Sequence, residues 1–339
     1  MTKSFDGRLI DRRRRAIIRG AGSAVPRKVL NNHDFEAMVE TSDEWITTRT
    51  GIKERHICVN GETTATLSLQ ASRLALQAAD VKAEDLDLII CATITPEMVC
   101  PATACFVQQG LGTGPCAAYD LAAACSGFSY AVSTAAACIA AGLNDHVLVI
   151  GAETLSKITD YTDRSSCILF GDGAGAVVLS AQEDTDRGVI YSAMSADGEC
   201  WDTIFCEAYG SRNPVSRDLE DPSKRFLVVR GRETYQTAVR TIVELIERLY
   251  EACDICSSDI ARIIPHQMNA RIIESVAKRL NLSEDKMYVN IDRFGNTSAA
   301  SIPLAFDEAL REGHLKEGDL VILVAFGAGL TWGVNLIRL

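Results

Sequence analysis

The chain has 339 residues, of which 47% are hydrophobic and 23% charged. This composition is typical of a folded globular protein and excludes disordered, collagen-like and coiled-coil chains. The 34 lysines and arginines against 45 aspartates and glutamates give a net charge of −11, which disfavours binding to nucleic acid or to an anionic membrane. Only 6% of the residues are aromatic, which argues against a base-stacking surface.

The cysteine count and the N-terminus bear on the compartment. Twelve cysteines are present, but disulfide frameworks are typical of small domains without a large core, and this chain is long enough to build one. The first residues contain four arginines at 12–15 and no apolar segment of a signal peptide. We therefore expect a reduced, cytoplasmic protein.

Hydrophobic periodicity predicts alternating strands and helices. In the first half we expect strands at 16–21, 86–92, 117–121 and 146–151, and helical segments at 32–45, 64–79, 101–110 and from Cys125 onward. In the second half we expect strands at 227–229, 260–264, 287–291 and 320–324, and helices at 233–252, 269–280 and 302–311. This alternation predicts an α/β fold with largely parallel strand pairing.

Two segments admit more than one interpretation. The uncharged stretch 121–144 is long enough for a membrane span, but its small side chains favour a helix packed inside the core. The glycine-rich segment 171–175 lacks the lysine of a P-loop and the spacing of a dinucleotide fingerprint. It is therefore predicted to be a tight structural turn.

The two halves of the chain resemble each other. The strand leading into residues 93–95 is similar to the one leading into His266, and the strands ending at Gly151 and Gly327 also correspond, a pattern that indicates duplication. No linker rich in proline, glycine and serine separates the halves, so we expect one continuous core. The predicted parts are a polar tail (1–15), an N-terminal half (16–185) and a C-terminal half (186–339).

Three residues carry candidate chemistry. Cys125 follows a strand and opens a helix, where the helix dipole and free N–H groups favour the nucleophilic thiolate. His266 stands at the end of another strand, where functional groups of α/β sheets concentrate, and Asn296 lies in a turn-rich segment. Taken singly, each also fits a purely structural role: Cys125 as a small core residue, His266 as a hydrogen-bonded structural histidine and Asn296 as a turn residue.

Together these residues belong to a longer set of motifs. From residue 17 to the C-terminus the chain resembles the beta-ketoacyl-acyl-carrier-protein synthase III family of the thiolase superfamily. The motifs are residues 41–46 (TSDEWI), 49–52 (RTGI), 122–128 (AAACSGF), 170–175 (FGDGAG), 265–269 (PHQMN), 295–301 (GNTSAAS) and 325–333 (AFGAGLTWG). The resemblance implies a thiolase-like, duplicated, five-layered α/β/α/β/α fold.

The resemblance also implies a catalytic set. Cys125 would take the acyl group of an acyl-CoA, and the backbone N–H groups of Cys125 and Ala328 would form the oxyanion hole. His266 and Asn296 would stabilise the enolate formed when malonyl-acyl-carrier protein loses CO2. Elongating synthases use two histidines and thiolases a second cysteine, so the Cys-His-Asn set indicates the initiating class. No metal or redox cofactor is expected.

Binding residues follow from the same resemblance. Trp45, Arg49, Thr41 and Arg164 would hold CoA, although Trp45 alone also fits an anchor residue. Carrier-protein docking is expected at a basic patch comprising Gln267, Arg271, Lys278 and Arg279. The charges of Lys278 and Arg279 also fit an ordinary solvated helix face.

One departure from the family pattern concerns the acyl pocket. Cys100 stands where acetyl-preferring members have a phenylalanine that caps the pocket of the partner subunit. This predicts a homodimer with room for primers longer than acetyl.

Rival functions remain at this stage. One is a relative on the same scaffold that serves a specialised pathway with another acceptor. Another is a catalytically idle binder of carrier protein, which the intact catalytic set argues against. The CxxC pair Cys253 and Cys256 has no second pair nearby, so a zinc or redox site is not expected there.

Overall fold

The computed structural model describes residues 7–11, 13–214, 219 and 221–339. The strands of these residues are β1 (Arg8–Leu9), β2 (Arg14–Ala24), β3 (Lys28–Asn31), β4 (Glu54–Ile57), β5 (Leu88–Ala92), β6 (Ala117–Leu121), β7 (His146–Thr154), β8 (Asp172–Glu183), β9 (Gly188–Ala196), β10 (Ile204–Phe205), β11 (Val228–Val229), β12 (Ile260–Pro265), β13 (Leu320–Gly327) and β14 (Thr331–Arg338). The helices are α1 (Asn32–Glu36), α2 (Asp43–Thr50), α3 (Thr64–Ala79), α4 (Thr103–Leu111), α5 (Gly127–Ala140), α6 (Gly231–Cys253), α7 (Ala270–Arg279), α8 (Ile291–Phe294) and α9 (Ser301–Arg311).

Two five-stranded sheets organise the chain. Their strand orders are β2-β8-β7-β5-β6 and β1-β9-β14-β13-β12. In each sheet a parallel pair (β5 with β7, β12 with β13) adjoins an antiparallel pair (β7 with β8, β13 with β14). The two sheets therefore share the arrangement that the similarity between the halves predicts.

Helices cover both faces of both sheets. Helices α3 and α4 pack outside the first sheet, and α6 and α7 pack outside the second. Helices α5 and α9 lie between the sheets, where their buried residues join a core formed by both. This layering is the predicted thiolase-like α/β/α/β/α fold.

Helix α5 explains the uncharged stretch at 121–144. Its residues Ala131, Ala135 and Ala136 are fully buried, and it contacts strands of both sheets. Small side chains let the helix approach two sheet backbones at once. The stretch is therefore the core helix that its composition predicts. Among the described residues, no helix has the length and apolarity needed to cross a membrane.

The expectation of largely parallel pairing is wrong. Of the pairings in the two large sheets, those of β5 with β6, β5 with β7 and β12 with β13 are parallel, while β8, β9 and β14 pair antiparallel. The sequence analysis did not predict these three strands. Strands β13 and β14 are joined through a short connection that pairs Gly327 with Thr331, and such hairpins need no crossover helix to mark them.

Two local predictions are also wrong. Residues 287–291 form one bridge, between Ile263 and Met287, and then enter α8 instead of forming a strand. The glycine-rich segment 171–175 is not a turn: Gly171 precedes β8, and residues 172–175 are the first four residues of this strand. A Cβ on Gly171 would lie 2.3 Å from the carbonyl oxygen of Phe294, and one on Gly175 would lie 2.7 Å from Pro303. These glycines therefore serve close packing and not chain reversal.

The polar N-terminal segment takes part in both sheets. Strand β1 pairs with β9, and β2 begins at Arg14, so residues 8–9 and 14–15 of the predicted tail are structured. Residues 1–6 and 12 lie outside the described residues. The chain passes from the first large sheet to the second between β8 and β9, and the division into halves at residue 185 stays a prediction.

Candidate active site

The three predicted catalytic residues line one cavity of about 150 Å³. Cys125 lies in a 3₁₀ turn (Ala124–Ser126) between β6 and α5. His266 directly follows β12, and Asn296 follows α8. The cavity thus joins one residue of the first half to two residues of the second.

Close backbone packing positions the cysteine. Ala124 has a φ of +45°, which is uncommon for a residue with a side chain and is typical of functional turns. A Cβ on Gly327 would lie 2.8 Å from the Cβ of Cys125 and 2.9 Å from its nitrogen. Glycine is therefore required where the end of β13 meets the cysteine turn. The backbone N–H groups of Cys125 and Ala328 lie close enough to the sulfur to lower the pKa of the thiol.

The thiol is protonated at neutral pH. Burial raises the pKa of Cys125 to about 11, although the hydroxyl of Ser298 and the two N–H groups act in the opposite direction. The N–H groups at the helix end favour the thiolate in the predicted direction, but loss of hydration at the sulfur outweighs them. A base must remove the thiol proton during reaction.

The surroundings of His266 determine its tautomer. Its Nδ1 lies 2.6 Å from the Ser301 Oγ, and that oxygen also accepts the N–H of Gln267 at 3.3 Å. Among the described residues, Nδ1 is the one acceptor recorded for the Ser301 hydroxyl, and with that proton directed to Nδ1 we assign the ring proton to Nε2. Burial lowers the pKa of His266 to about 3, so the ring is a neutral hydrogen-bond donor at physiological pH.

The amide of Asn296 is oriented in a similar way. Its Oδ1 accepts the N–H of Ser298 at 2.9 Å, which identifies the opposite end of the amide as the NH2 group. Ser298 adopts a φ of +48°, a strained conformation that places its N–H on Asn296. Its hydroxyl lies near the Cys125 sulfur and lowers the pKa of the thiol. The free N–H groups of Asn296 and His266 are the polar donors that these two side chains offer to the cavity.

A buried carboxylate escaped the sequence analysis. Glu153 is 0% exposed and accepts the hydroxyl of Ser298 at 3.2 Å. The available signal was a glutamate at the end of an otherwise apolar strand, β7, since buried carboxylates need partners. Ser298 and Ser301 lie inside a motif that was recognised, but their contacts depend on the fold.

The predicted CoA residues are partly assembled. The guanidinium of Arg164 lies 4.7 Å from the ring centroid of Trp45, and that of Arg49 lies 5.9 Å away. The hydroxyl of Thr41 is buried and, among the described residues, has no hydrogen-bond partner. A flat ring flanked by two cations suits a purine with phosphates.

The predicted docking residues do not share one environment. Arg271, Lys278 and Arg279 are exposed on α7. Gln267 is only 1% exposed, and its side chain bonds the backbone of Pro265, Tyr288 and Asn290. Its inclusion in a docking surface is therefore wrong, because its amide is used inside the protein.

Two cysteine predictions concern other positions. Cys100 is exposed and does not line either cavity next to Cys125 in its own chain. Cys256 contacts Ser258 and Asp259. Within the described part of the chain, no three metal-ligating side chains are grouped closely enough to hold a metal ion.

A duplicated five-layered fold with cysteine, histidine and asparagine on one cavity defines a thiolase-like condensing enzyme, which is an acyltransferase. Residues 119–198 match the family described as 3-oxoacyl-[acyl-carrier-protein (ACP)] synthase III, and residues 250–339 match its C-terminal family. The chain is 48% identical to the beta-ketoacyl-[acyl-carrier-protein] synthase III of Caldanaerobacter subterraneus subsp. tengcongensis, over 95% of this chain and 97% of that protein. It is 47% identical to that of Erythrobacter litoralis, over 96% and 99%.

Solved structures agree with these relatives. The crystal structure of 3-oxoacyl-[acyl-carrier-protein] synthase III from Aquifex aeolicus superposes with a TM-score of 0.89 at 44% identity, covering 96% of this chain and 100% of that one. The chain belongs to the beta-ketoacyl-acyl-carrier-protein synthase III family.

Proposed function

We propose that the protein condenses an acyl-CoA primer with malonyl-acyl-carrier protein to give 3-oxoacyl-acyl-carrier protein, CO2 and CoA, and so initiates fatty acid biosynthesis. The observation that carries the proposal is the meeting of one thiol and two oriented hydrogen-bond donors on a single cavity. The relatives bear the name of this reaction, which supports the same activity here.

In the first half-reaction, the Cys125 sulfur attacks the thioester carbonyl of acyl-CoA. The N–H groups of Cys125 and Ala328 stabilise the oxyanion of the tetrahedral intermediate, and CoA leaves. Their proximity to the sulfur supports this role. One such donor lowers the barrier by roughly 2.7–4 kcal/mol.

In the second half-reaction, malonyl-acyl-carrier protein loses CO2. The Nε2–H of His266 and the amide N–H of Asn296 donate to its thioester oxygen and stabilise the enolate. The enolate carbon then attacks the acyl group on Cys125. The neutral state of His266 supports a donor role, since a donor that keeps its proton favours the enolate over the starting thioester. These steps use acyl-CoA as a substrate and no metal or redox cofactor.

The CoA nucleotide binds at Trp45. An adenine stacked between the indole and a guanidinium needs about 7 Å between the outer groups, which is two contact distances. Arg164 lies only 4.7 Å from the Trp45 centroid, so it moves outward by about 2 Å when the purine enters. Arg49 and Thr41 complete the site, with the exposed cation of Arg49 directed to phosphate.

The acyl carrier protein docks on the exposed face of α7. The family's carrier proteins are acidic and this chain is acidic as well, so attraction must come from a local patch. Arg271, Lys278 and Arg279 provide three positive charges on one helix near His266, and Glu274 on the same helix reduces them.

The protein acts as a cytoplasmic homodimer that accepts primers longer than acetyl. A cleft of about 720 Å³ borders Ala124 and Ala328 beside the catalytic cavity, and Cys100 of the partner subunit closes the acyl pocket less tightly than phenylalanine would. Kinetics with a series of acyl-CoA chain lengths test this. A strict preference for acetyl-CoA that Cys100→Phe leaves unchanged contradicts it.

The central experiment separates the half-reactions. Incubation with acyl-CoA alone should add one acyl group to the peptide containing Cys125, as read by mass spectrometry. The other eleven cysteines (12 in total) serve as internal controls, and Cys125→Ala should abolish the adduct. Adding malonyl-acyl-carrier protein should then release CO2 and a 3-oxoacyl product. Acylation without chain extension would contradict the proposed condensation.

A further inference from the structure

A buried carboxylate lies one hydroxyl group away from the nucleophile. Glu153 is the penultimate residue of β7 and is fully buried. Its oxygens accept hydrogen bonds from the backbone of Ile94 and Thr95 and from the hydroxyls of Thr93, Thr95 and Ser298. Among the described residues, all of these donors are uncharged. The contacts hold the carboxylate without an ion pair.

Ser298 links this carboxylate to the cysteine. Its hydroxyl donates to Glu153 Oε1 at 3.2 Å. Ser298 also lines the same cavity as Cys125 and lies close enough to the sulfur to lower the pKa of the thiol. A hydroxyl has one proton to donate and two lone pairs that accept. While Glu153 is ionised, the Ser298 proton points to the carboxylate and its lone pairs face the thiol. When the sulfur is a thiolate, the same proton points to the sulfur and Ser298 accepts from protonated Glu153.

We propose that Ser298 and Glu153 form the proton path of Cys125, with Ser298 in contact with the reacting sulfur and Glu153 acting through it. This inference rests on the proposed acyl transfer to Cys125. Because Cys125 rests as a thiol, its proton must leave when the sulfur attacks the thioester, and Ser298 and Glu153 accept that proton.

The proton balance covers both half-reactions. As the Cys125 sulfur bonds the acyl carbon, its proton passes to Ser298 Oγ while the Ser298 proton passes to Glu153. When the bond from that carbon to the CoA sulfur breaks, the proton returns through the same pair and leaves as the CoA thiol. In the condensation, formation of the carbon–carbon bond releases Cys125 as a thiolate. It takes, through Ser298, a proton that Glu153 has accepted from water between the half-reactions, and Glu153 is left ionised for the next turnover.

The other candidate base near the sulfur is unsuited to this task. The Nδ1 of His266 contacts the Ser301 hydroxyl, and the tautomer assigned from this contact has the ring proton on Nε2. Burial lowers the pKa of His266 to about 3, so the ring holds an additional proton weakly. The structure therefore gives His266 the role of donor and leaves proton acceptance to Glu153.

The pH dependence of acyl transfer follows from the groups around Glu153. Among the described residues, the thiols of Cys125 and of Cys91 on the adjacent strand β5 interact with it electrostatically. Both thiols are neutral near pH 7 because loss of hydration raises their pKa values. Burial also raises the pKa of Glu153 from 4.5 to about 7. Acyl transfer should therefore increase as the pH rises through about 7 and then level off.

The test measures single-turnover acylation of Cys125 from about pH 5 to about pH 9. The wild-type protein, Glu153→Gln and Ser298→Ala are compared with Thr297→Val. Thr297 is a matched control because its buried hydroxyl has no hydrogen-bond partner among the described residues. The wild type and Thr297→Val should share the inflection near pH 7. Both relay variants should lose it and acylate about a hundredfold more slowly at pH 8.

Alkylation by iodoacetamide separates proton transfer from damage to the site. Glu153→Gln removes a negative charge that raises the pKa of Cys125. Alkylation of Cys125 needs only the thiolate, so in this variant it should be as fast as in the wild type or faster. A parallel loss of alkylation and acylation, or a wild-type pH profile in Glu153→Gln, overturns the proposal. If Glu153→Gln does not fold, the proposal is tested by the pH profile of acylation in the wild type and by the acylation rate of Ser298→Ala.

The two proposals fail differently. If the wild type forms no acyl-Cys125, the proposed function fails. If acyl-Cys125 forms without an inflection near pH 7, only the proton path fails.

Discussion

Gly327→Ala probes how closely the end of β13 must approach the nucleophile. The added Cβ would lie 2.8 Å from the Cβ of Cys125 and 2.9 Å from its nitrogen, whereas unstrained contacts begin at about 3.5 Å. The two segments must therefore separate by about 0.6–0.7 Å, and the N–H of Ala328 moves with the strand. Because a misplacement of about 1 Å costs about a hundredfold in rate, we expect acyl transfer to slow by about ten- to a hundredfold.

The assay is single-turnover release of CoA, with thermal unfolding measured in parallel. Gly198→Ala is the matched control, since a Cβ at Gly198 meets no atom within 4 Å, and it should behave as the wild type. Overpacking at Gly327 should also cost about 1–3 kcal/mol of stability. Acyl transfer within about twofold of the wild type in Gly327→Ala would refute the reasoning, because the loss predicted for this displacement is about tenfold or more.

Three further predictions concern the two half-reactions and the fold. Ser301→Ala removes the partner of His266 Nδ1, so condensation should fall by about two- to tenfold, more than acyl transfer does; equal losses would contradict the tautomer assignment. Burial raises the pKa of Glu153 from 4.5 to about 7, so the folded protein holds this proton more tightly than the unfolded chain does. The wild type should therefore lose stability relative to Glu153→Gln as the pH rises from 4.5 to about 7. This difference amounts to about 3 kcal/mol, and a pH-independent difference in chemical denaturation would show that Glu153 titrates normally. Arg271→Glu should raise the KM for malonyl-acyl-carrier protein and spare acyl transfer, with Lys316→Glu on another exposed turn as the control; a loss shared by both half-reactions would exclude a docking role.

Much of the fold followed from local sequence patterns. Helices with a clear apolar face, such as α3 and α9, and continuously apolar strands, such as β5 and β7, lie where periodicity predicts them. Strands β8, β9 and β14 were missed, because their small and mixed side chains lack a strong period. The pairing direction depends on which strands meet in space, and chain-local periodicity does not encode it.

The motifs also identified Cys125, His266 and Asn296, which share one cavity. They did not identify Glu153 as part of this site, and they placed the buried Gln267 on the surface. Both errors have the same origin. The environment of a polar side chain is set by residues far away in the chain, as in the contact of Ser298 with Glu153.

The sequence by itself determined the chemical groups available, namely a thiol at the start of a core helix, an imidazole after a strand and an amide in a turn. The protonation and the orientation of these groups were decided by the tertiary structure alone. Burial keeps the thiol protonated and the imidazole neutral, and hydrogen bonds from Ser301 and Ser298 orient the two donors. Protonation depends on hydration, which is lost when the two halves pack around the cavity. Orientation depends on hydrogen-bond partners that the fold of the second half brings together.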